Sequence, residues 1–478
     1  MNGKDNGPMV DVDSTRSGQP GQHSTGHHIG GIRHRLSRPL SGLVERVPTI
    51  RPETVIFPAM RFLIARPRLA DRVLGRMRWG NPFDPNRITD PYAWVPGMLD
   101  DGYVTFHKAF NQWFILGYEE AQEVLRSKSF GVEARMSTLA AVNPYTNLDE
   151  RSFENINSWL TFVDPPDHTR IRRLVVRWFT PGRIEKMRPT VERLVADLID
   201  DLAADIAAGN PIEMMGRFAG PLPVNVIGDI IGIPADDWPE MKAISDDLAK
   251  VLDPIRGFDP DQINIRFAQF RELILTVAEQ RRQEPTDDLM SVLVSAADDG
   301  DRLSEAELVS TVTLLLAAGH ETTTGAIGNS IINLAANPDE RARWRNDPGL
   351  TTNAVEELLR YDTPVLTIGR NALEDVEVGG RQVSKGQLAV LLLGVANRDI
   401  RRFPDADDLN LDRPDPQPLS FGHGIHHCIG AALARLELQV ALPALIDALG
   451  DYTVETDTIE WMPNVSLRRP DRLVVTPS

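Results

Sequence analysis

Cysteine is almost absent from this chain: Cys428 is the only one in 478 residues. No intrachain disulfide can form, and such usage fits a reducing compartment. An apolar run long enough to span a bilayer is missing as well. The nearest approach, Leu314 to Ala336, is broken by His320, Glu321 and three consecutive threonines. No signal-peptide pattern opens the chain, so a cytoplasmic protein is expected. Positive charge is in deficit, with a formal net charge of −17. That balance excludes a general binder of nucleic acid or anionic membrane. No internal repeat is visible.

What is present is a chain of ordinary composition, long enough to bury a sizeable core. Residues 1–30 are rich in Gly, Ser, Asn and Asp and have no apolar period. Residues 1–47 are therefore expected to form a disordered or loosely ordered tail, and 48–478 a single domain. Within it the pattern predicts hairpin strands at 103–106 and 113–116, a helix over 118–128 and an irregular stretch over 132–157. Helical periodicity dominates from His168 to Asn337. A β-rich section follows over 367–393, with Gly379-Gly380 as its tight turn. A helix over 431–449 and a small β-unit over 452–476 close the chain. Many helices with small β-units inserted late predict a mostly α fold of the α+β kind.

The scarce cysteine lies in the most distinctive stretch, Phe421-Gly-His-Gly-Ile-His-His-Cys428-Ile-Gly430. Its glycines allow positive φ or close approach to a flat partner. A cysteine just before a helix meets unpaired N–H donors and the positive end of the dipole, which favour the thiolate. A buried, inert thiol and a nucleophile served by His426 or His427 are the competing readings.

Three weaker signals accompany it. Ala317-Ala318-Gly319-His320-Glu321-Thr322 lies in a long predicted helix, where small residues leave a groove and an acid stands beside an alcohol. The same threonine could instead bond back to the carbonyl four residues earlier. Glu357 and Arg360 are three apart on another helix and can pair. His168 and Arg172 share one face of a helix, and Arg170, Arg173 and Arg177 another. So much local positive charge in an acidic protein implies something negative nearby, with a solvated helix face as the competing reading.

Together, and in this order, these motifs resemble those of the cytochrome P-450 superfamily, of the soluble bacterial kind, from about residue 90 to the C-terminus. The stretch around Cys428 is similar to the haem-binding signature, Ala318–Thr323 to the oxygen-activation segment, and Glu357-Leu-Leu-Arg360 to the Glu-x-x-Arg motif. The resemblance implies a single triangular-prism haem-thiolate fold with a long central helix crossing the haem. It implies haem b with Cys428 as axial thiolate ligand of the iron. His426, His168, Arg172 and Arg370 would hold the propionates, Phe421 would pack beside the sulfur, and Gly430 and Ala318 would lie against the ring. Glu321 and Thr322 would deliver protons, and Arg413 would complete a structural lock with Glu357 and Arg360.

The implied activity is monooxygenation of a hydrophobic organic substrate. Its pocket would be walled by Leu314, Ala318, Val365, Leu366, Ile368 and Val465, with the segments 132–157 and 253–260 as a lid. Electrons would come from a separate ferredoxin or flavodoxin docking near Arg170, Arg173, Arg177 and Arg435. A peroxide-driven peroxygenase, a haem-thiolate sensor and a haem-free cysteine hydrolase are the alternatives.

Overall fold

The computed structural model describes residues 89–93, 95–108, 111–133, 148–252, 258–295, 303–462, 464 and 466–478. The predicted tail over 1–47 and the wall residue Val465 lie outside them, as does most of the predicted lid.

The fold is built around one helix, Glu305–Ala336, 32 residues long. Ser304 starts it with a capping box: its hydroxyl accepts from the Glu307 amide, and the Glu307 carboxylate accepts from the Ser304 amide. Beyond its first turn most of the helix is buried, the signature of a helix that runs through a core. Pro221–Ile231, Trp238–Ala249, Pro260–Gln283 and Ala431–Leu449 all pack against it. Two glycines let the C-terminal segment approach closely. A Cβ at Gly325 would sit 3.0 Å from the Arg468 carbonyl oxygen, and one at Gly328 2.9 Å from the Pro470 ring.

The largest sheet has five strands: β1 (Val104–His107), β2 (Gln112–Ile115), β3 (Phe130–Gly131), β4 (Thr367–Ala372) and β5 (Leu388–Leu392). Their order is β1-β2-β5-β4-β3. β2 and β5 run parallel and place Trp113 beside Ala389, while the other pairs are antiparallel. Gly379 and Gly380 both have positive φ and close the hairpin of Val376–Val378 with Arg381–Val383, as the sequence predicts. Near the C-terminus, Val474–Pro477 pairs with both Tyr452–Val454 and Ile212–Glu213. No helix of the described residues is long and apolar enough to cross a membrane.

One expectation needs correction. The stretch predicted to be irregular contains a helix, Glu150–Asn157, whose N-cap Asp149 accepts from the Ser152 amide at 2.7 Å. Eight residues give the apolar period only two turns to declare itself, and the helix is anchored chiefly through the fully buried Ile156.

Candidate active site

The loop before Cys428 is shaped by close backbone contact. Gly424 has φ 71°, and a Cβ there would lie 2.2 Å from the Leu125 carbonyl oxygen, so only glycine fits. This presses the loop onto the helix Tyr118–Arg126. The Cys428 amide donates to the Phe421 carbonyl at 2.9 Å, closing the loop just before Ala431–Leu449 begins. Phe421 and Ile429 pack against the main core. Cys428 is accessible to solvent, yet enough protein surrounds it that burial pushes its thiol pKa up. A residue lining an interior cavity has both properties. The Gly430 amide and the guanidinium groups of Arg172 and Arg435 act in the opposite direction but do not prevail. Desolvation thus opposes the thiolate that the helix terminus and the two guanidiniums favour. At Gly430 an added Cβ would meet no protein atom within 4 Å, which leaves an open cradle beside the sulfur.

A second group gathers near this loop. His168 is 1% exposed, and neither of its ring nitrogens has a hydrogen-bond partner; His426 Nε2 has none either. The two rings lie 4.3 Å apart. Burial, then Arg172 and Arg370, holds His168 down to about 4, with Asp164 pulling the other way. Burial, then Arg370, His168 and Arg172, holds His426 down to about 3. Arg172 donates to the His427 carbonyl at 2.5 Å and Arg370 to that of Gly369 at 2.8 Å. Buried donors normally find acceptors. Two imidazoles and two guanidiniums converging with orphaned nitrogens fit an acidic group carrying two carboxylates, and so fit haem propionates.

The central helix supplies the opposite side. Amid buried neighbours, Leu315, Ala318, Gly319 and Thr322 are half-buried. Their spacing puts them on one face as a stripe of small and apolar groups along a cavity. Leu315 escapes the sequence reading, whereas Gly319 belongs to the small-residue groove expected from it; Leu314, one turn before Ala318, is buried. Thr322 Oγ1 donates to the Ala318 carbonyl at 2.8 Å, the back-bond weighed for it. Val365 and Leu366, just before β4, and Ile368 within it are also half-buried. Glu321 does not share the stripe. It is 2% exposed, and its carboxylate lies 2.7 Å from Arg469 Nε without hydrogen-bond alignment. Burial pushes it up to about 7, while Arg469 lowers it and Asp246 raises it further. Sequence spacing could not reveal Arg469, which comes from a segment 148 positions later (469 − 321).

Glu357, Arg360 and Arg413 are brought together. Arg360 donates to Glu357 at 2.7 and 2.9 Å, and Arg413 Nε at 3.0 and 3.1 Å. The remaining N–H groups reach the carbonyls of Asn397, Ala406, Asp408, Pro404 and Asp405. Two of the arginines expected on a docking face lie beside carboxylates. Arg170 pairs with Glu307, and Arg435 pairs with Glu356 while lying 4.3 Å over the Phe421 ring. Arg173 and Arg177 are exposed.

Comparison with known proteins agrees with this geometry. The family model described as Cytochrome P450 matches residues 111–467. Cytochrome P450 107B1 of Saccharopolyspora erythraea is 37% identical over 76% of this chain and 89% of its own. The 6-deoxyerythronolide B hydroxylase of the same organism is 36% identical over the same shares. Among solved structures, CalO2 superposes with a TM-score of 0.77 at 29% identity, covering 84% of this chain and 99% of that one. P450BioI, in complex with an acyl carrier protein, superposes with a TM-score of 0.74 at 31% identity, covering 82% and 99%. Haem is the cofactor of this fold, and the single cysteine fits as its ligand. By sequence, fold and site, the chain belongs to the cytochrome P450 family of haem-thiolate monooxygenases.

Proposed function

We propose that this chain inserts one oxygen atom of dioxygen into a hydrophobic substrate of macrolide or polyketide size, with two electrons supplied by a separate ferredoxin or flavodoxin. The observation that carries the reading is the pairing of orphaned imidazole nitrogens beside Cys428, flanked by Arg172 and Arg370, with a half-buried small-residue stripe on the central helix. Bound haem supplies the iron at which dioxygen is reduced. Cys428 contributes the thiolate, and His168, His426, Arg172 and Arg370 anchor the propionates. Ala318 and Gly319 let a flat group press against the helix. Thr322 presents a hydroxyl to the stripe. Glu321, held near 7, is a carboxyl that can both give and regain a proton at neutral pH. The walls at Leu314, Leu315, Val365, Leu366 and Ile368 offer only apolar contact, which favours a weakly polar substrate.

The substrate class rests on relatives. The 6-deoxyerythronolide B hydroxylase, the Mycinamicin IV hydroxylase/epoxidase of Micromonospora griseorubida and the polyketide biosynthesis enzyme PksS of Bacillus subtilis are 33–37% identical to this chain. A spin-state shift on adding macrolactones, absent with fatty acids and steroids, is the expected result; the reverse order of response would overturn the class. Cys428→Ser should abolish the red-shifted Soret band of the reduced carbon monoxide complex. Thr322→Ala should keep haem but divert electrons to peroxide or water, and unchanged coupling would remove Thr322 from the proton path. Docking near Arg170, Arg173, Arg177 and Arg435 predicts reduction rates that fall with ionic strength.

A further inference from the structure

The buried face of the central helix, away from the stripe, carries a polar cluster. His320 is 1% exposed and its Nδ1 lies 2.9 Å from Ser245 Oγ. The same nitrogen lies 3.8 Å from Asp246 Oδ1 and 3.8 Å from Glu321 Oε1. Ser245 and Asp246 belong to the helix Trp238–Ala249, which also brings Lys242, its Nζ 2.7 Å from Asp246. Arg469 faces Glu321 from the C-terminal segment and lies 3.4 Å from Asp471. Glu321 is thus connected toward the surface on two sides, one ending at Asp246 and the other at Asp471, whose side chains are 38% and 37% exposed.

The two sides are chemically unequal. A guanidinium stays protonated at any accessible pH, so the Arg469 side holds charge but does not carry protons. An imidazole can do both. Three ligand-type atoms of Asp246, His320 and Glu321 within 4.8 Å of one another could also suit a divalent ion. However, Lys242 and Arg469 already neutralise the two carboxylates, so little negative charge is left for a cation.

We propose that His320 is a proton-relay residue, its Nδ1 passing protons between solvent at Asp246 and the carboxyl of Glu321, while Ser245 holds the ring in place. This rests on the reading of Glu321 as the acid that serves the distal pocket. One proton enters at the Asp246 carboxylate and moves to Nδ1. It leaves Nδ1 for Glu321 Oε1, and Glu321 passes it onward and returns to carboxylate; no electrons move. Gaps of 3.8 Å are closed by a small ring swing or by one water. Burial, against the pull of Asp246, holds His320 down to about 3. The ring is therefore neutral at rest and does not trap the proton. Lys242 and Arg469 add to that depression.

His320→Gln keeps an amide that can bond Ser245 but cannot relay. With substrate and reductant saturating, product formation should fall about tenfold or more, toward the ~10²–10⁴-fold range of a lost acid–base group. The solvent isotope effect should rise, while the carbon monoxide band and substrate affinity stay at wild type. A wild-type rate and isotope effect in H320Q, beside a slow E321Q, would overturn the relay and leave Glu321 in place. Wild-type behaviour in both would overturn the Glu321 reading as well. If H320Q loses the carbon monoxide band, Asp246→Asn at the half-exposed entrance decides: a slow, isotope-sensitive enzyme supports the relay and an unchanged one overturns it.

Discussion

Glu357, Arg360 and Arg413 form one buried charged cluster; His168, His426, Arg172 and Arg370 form another, only partly sealed from solvent. In the first, the two guanidiniums together donate to one carboxylate and five carbonyls, and Glu357 also accepts from the Asn410 amide. In the second, three ring nitrogens have no partner, and the neighbouring charges all have one sign apart from Asp164. Satisfied clusters hold a fold together, whereas a cluster short of acceptors is complementary to something that arrives later.

The largest expected effect lies in the satisfied cluster. Glu357→Ala leaves two guanidiniums buried against carbonyls alone, a loss of about 3–5 kcal/mol for a broken buried pair. Thermal unfolding should show it with and without haem. A variant destabilised only in the haem-bound form would place Glu357 among the ligand-binding groups and erase the contrast.

His168→Leu should do the opposite. It removes two orphaned nitrogens from a site that is 1% exposed, so the haem-free chain should keep or gain stability. Haem retention should suffer, because a hydrogen bond to a charged group contributes about 1.5–3 kcal/mol, or roughly 10–100-fold in affinity. Haem transfer to an acceptor protein measures that directly. Faster unfolding of the haem-free variant with unchanged haem retention would make His168 an ordinary core residue.

Much of this contrast is legible in the sequence, but unevenly. Cys428 in its glycine frame and the long apolar helix are local patterns, and local backbone preferences build both. The Glu357–Arg360 spacing is equally local, yet it says nothing until Arg413 and the chain near Ala406 fold over it. Long-range partners leave no spacing to read. Arg469 beside Glu321, Glu307 beside Arg170 and Glu356 beside Arg435 arise from packing between elements far apart in the chain. For that reason the predicted docking face carries less unpaired charge than its arginines suggest. The pairing of β2 with β5 has the same origin, since parallel strands are joined by long crossovers rather than by a turn.

The smallest effect is a pH dependence, and its sign separates the clusters. His168 is held down to about 4 in the folded chain, against an ordinary value near 6.5. Between those values the unfolded chain binds more protons, so folding stability falls as pH drops from 6.5 toward 4 and no further loss follows below. Glu321 and Glu437, raised to about 7 and about 8 by burial, act in the other direction: their contribution is present at low pH and lost as pH rises. Comparing the haem-free wild type with His168→Leu cancels both carboxyls and leaves the His168 share, at most about 1.4 kcal/mol per pH unit. Acidification from pH 6.5 to 4 should therefore destabilise the wild type more than the variant. With haem bound the difference should shrink, because propionates stabilise the imidazolium. Equal slopes in the two haem-free proteins would mean that His168 already has an acceptor, and the cluster would then count as satisfied.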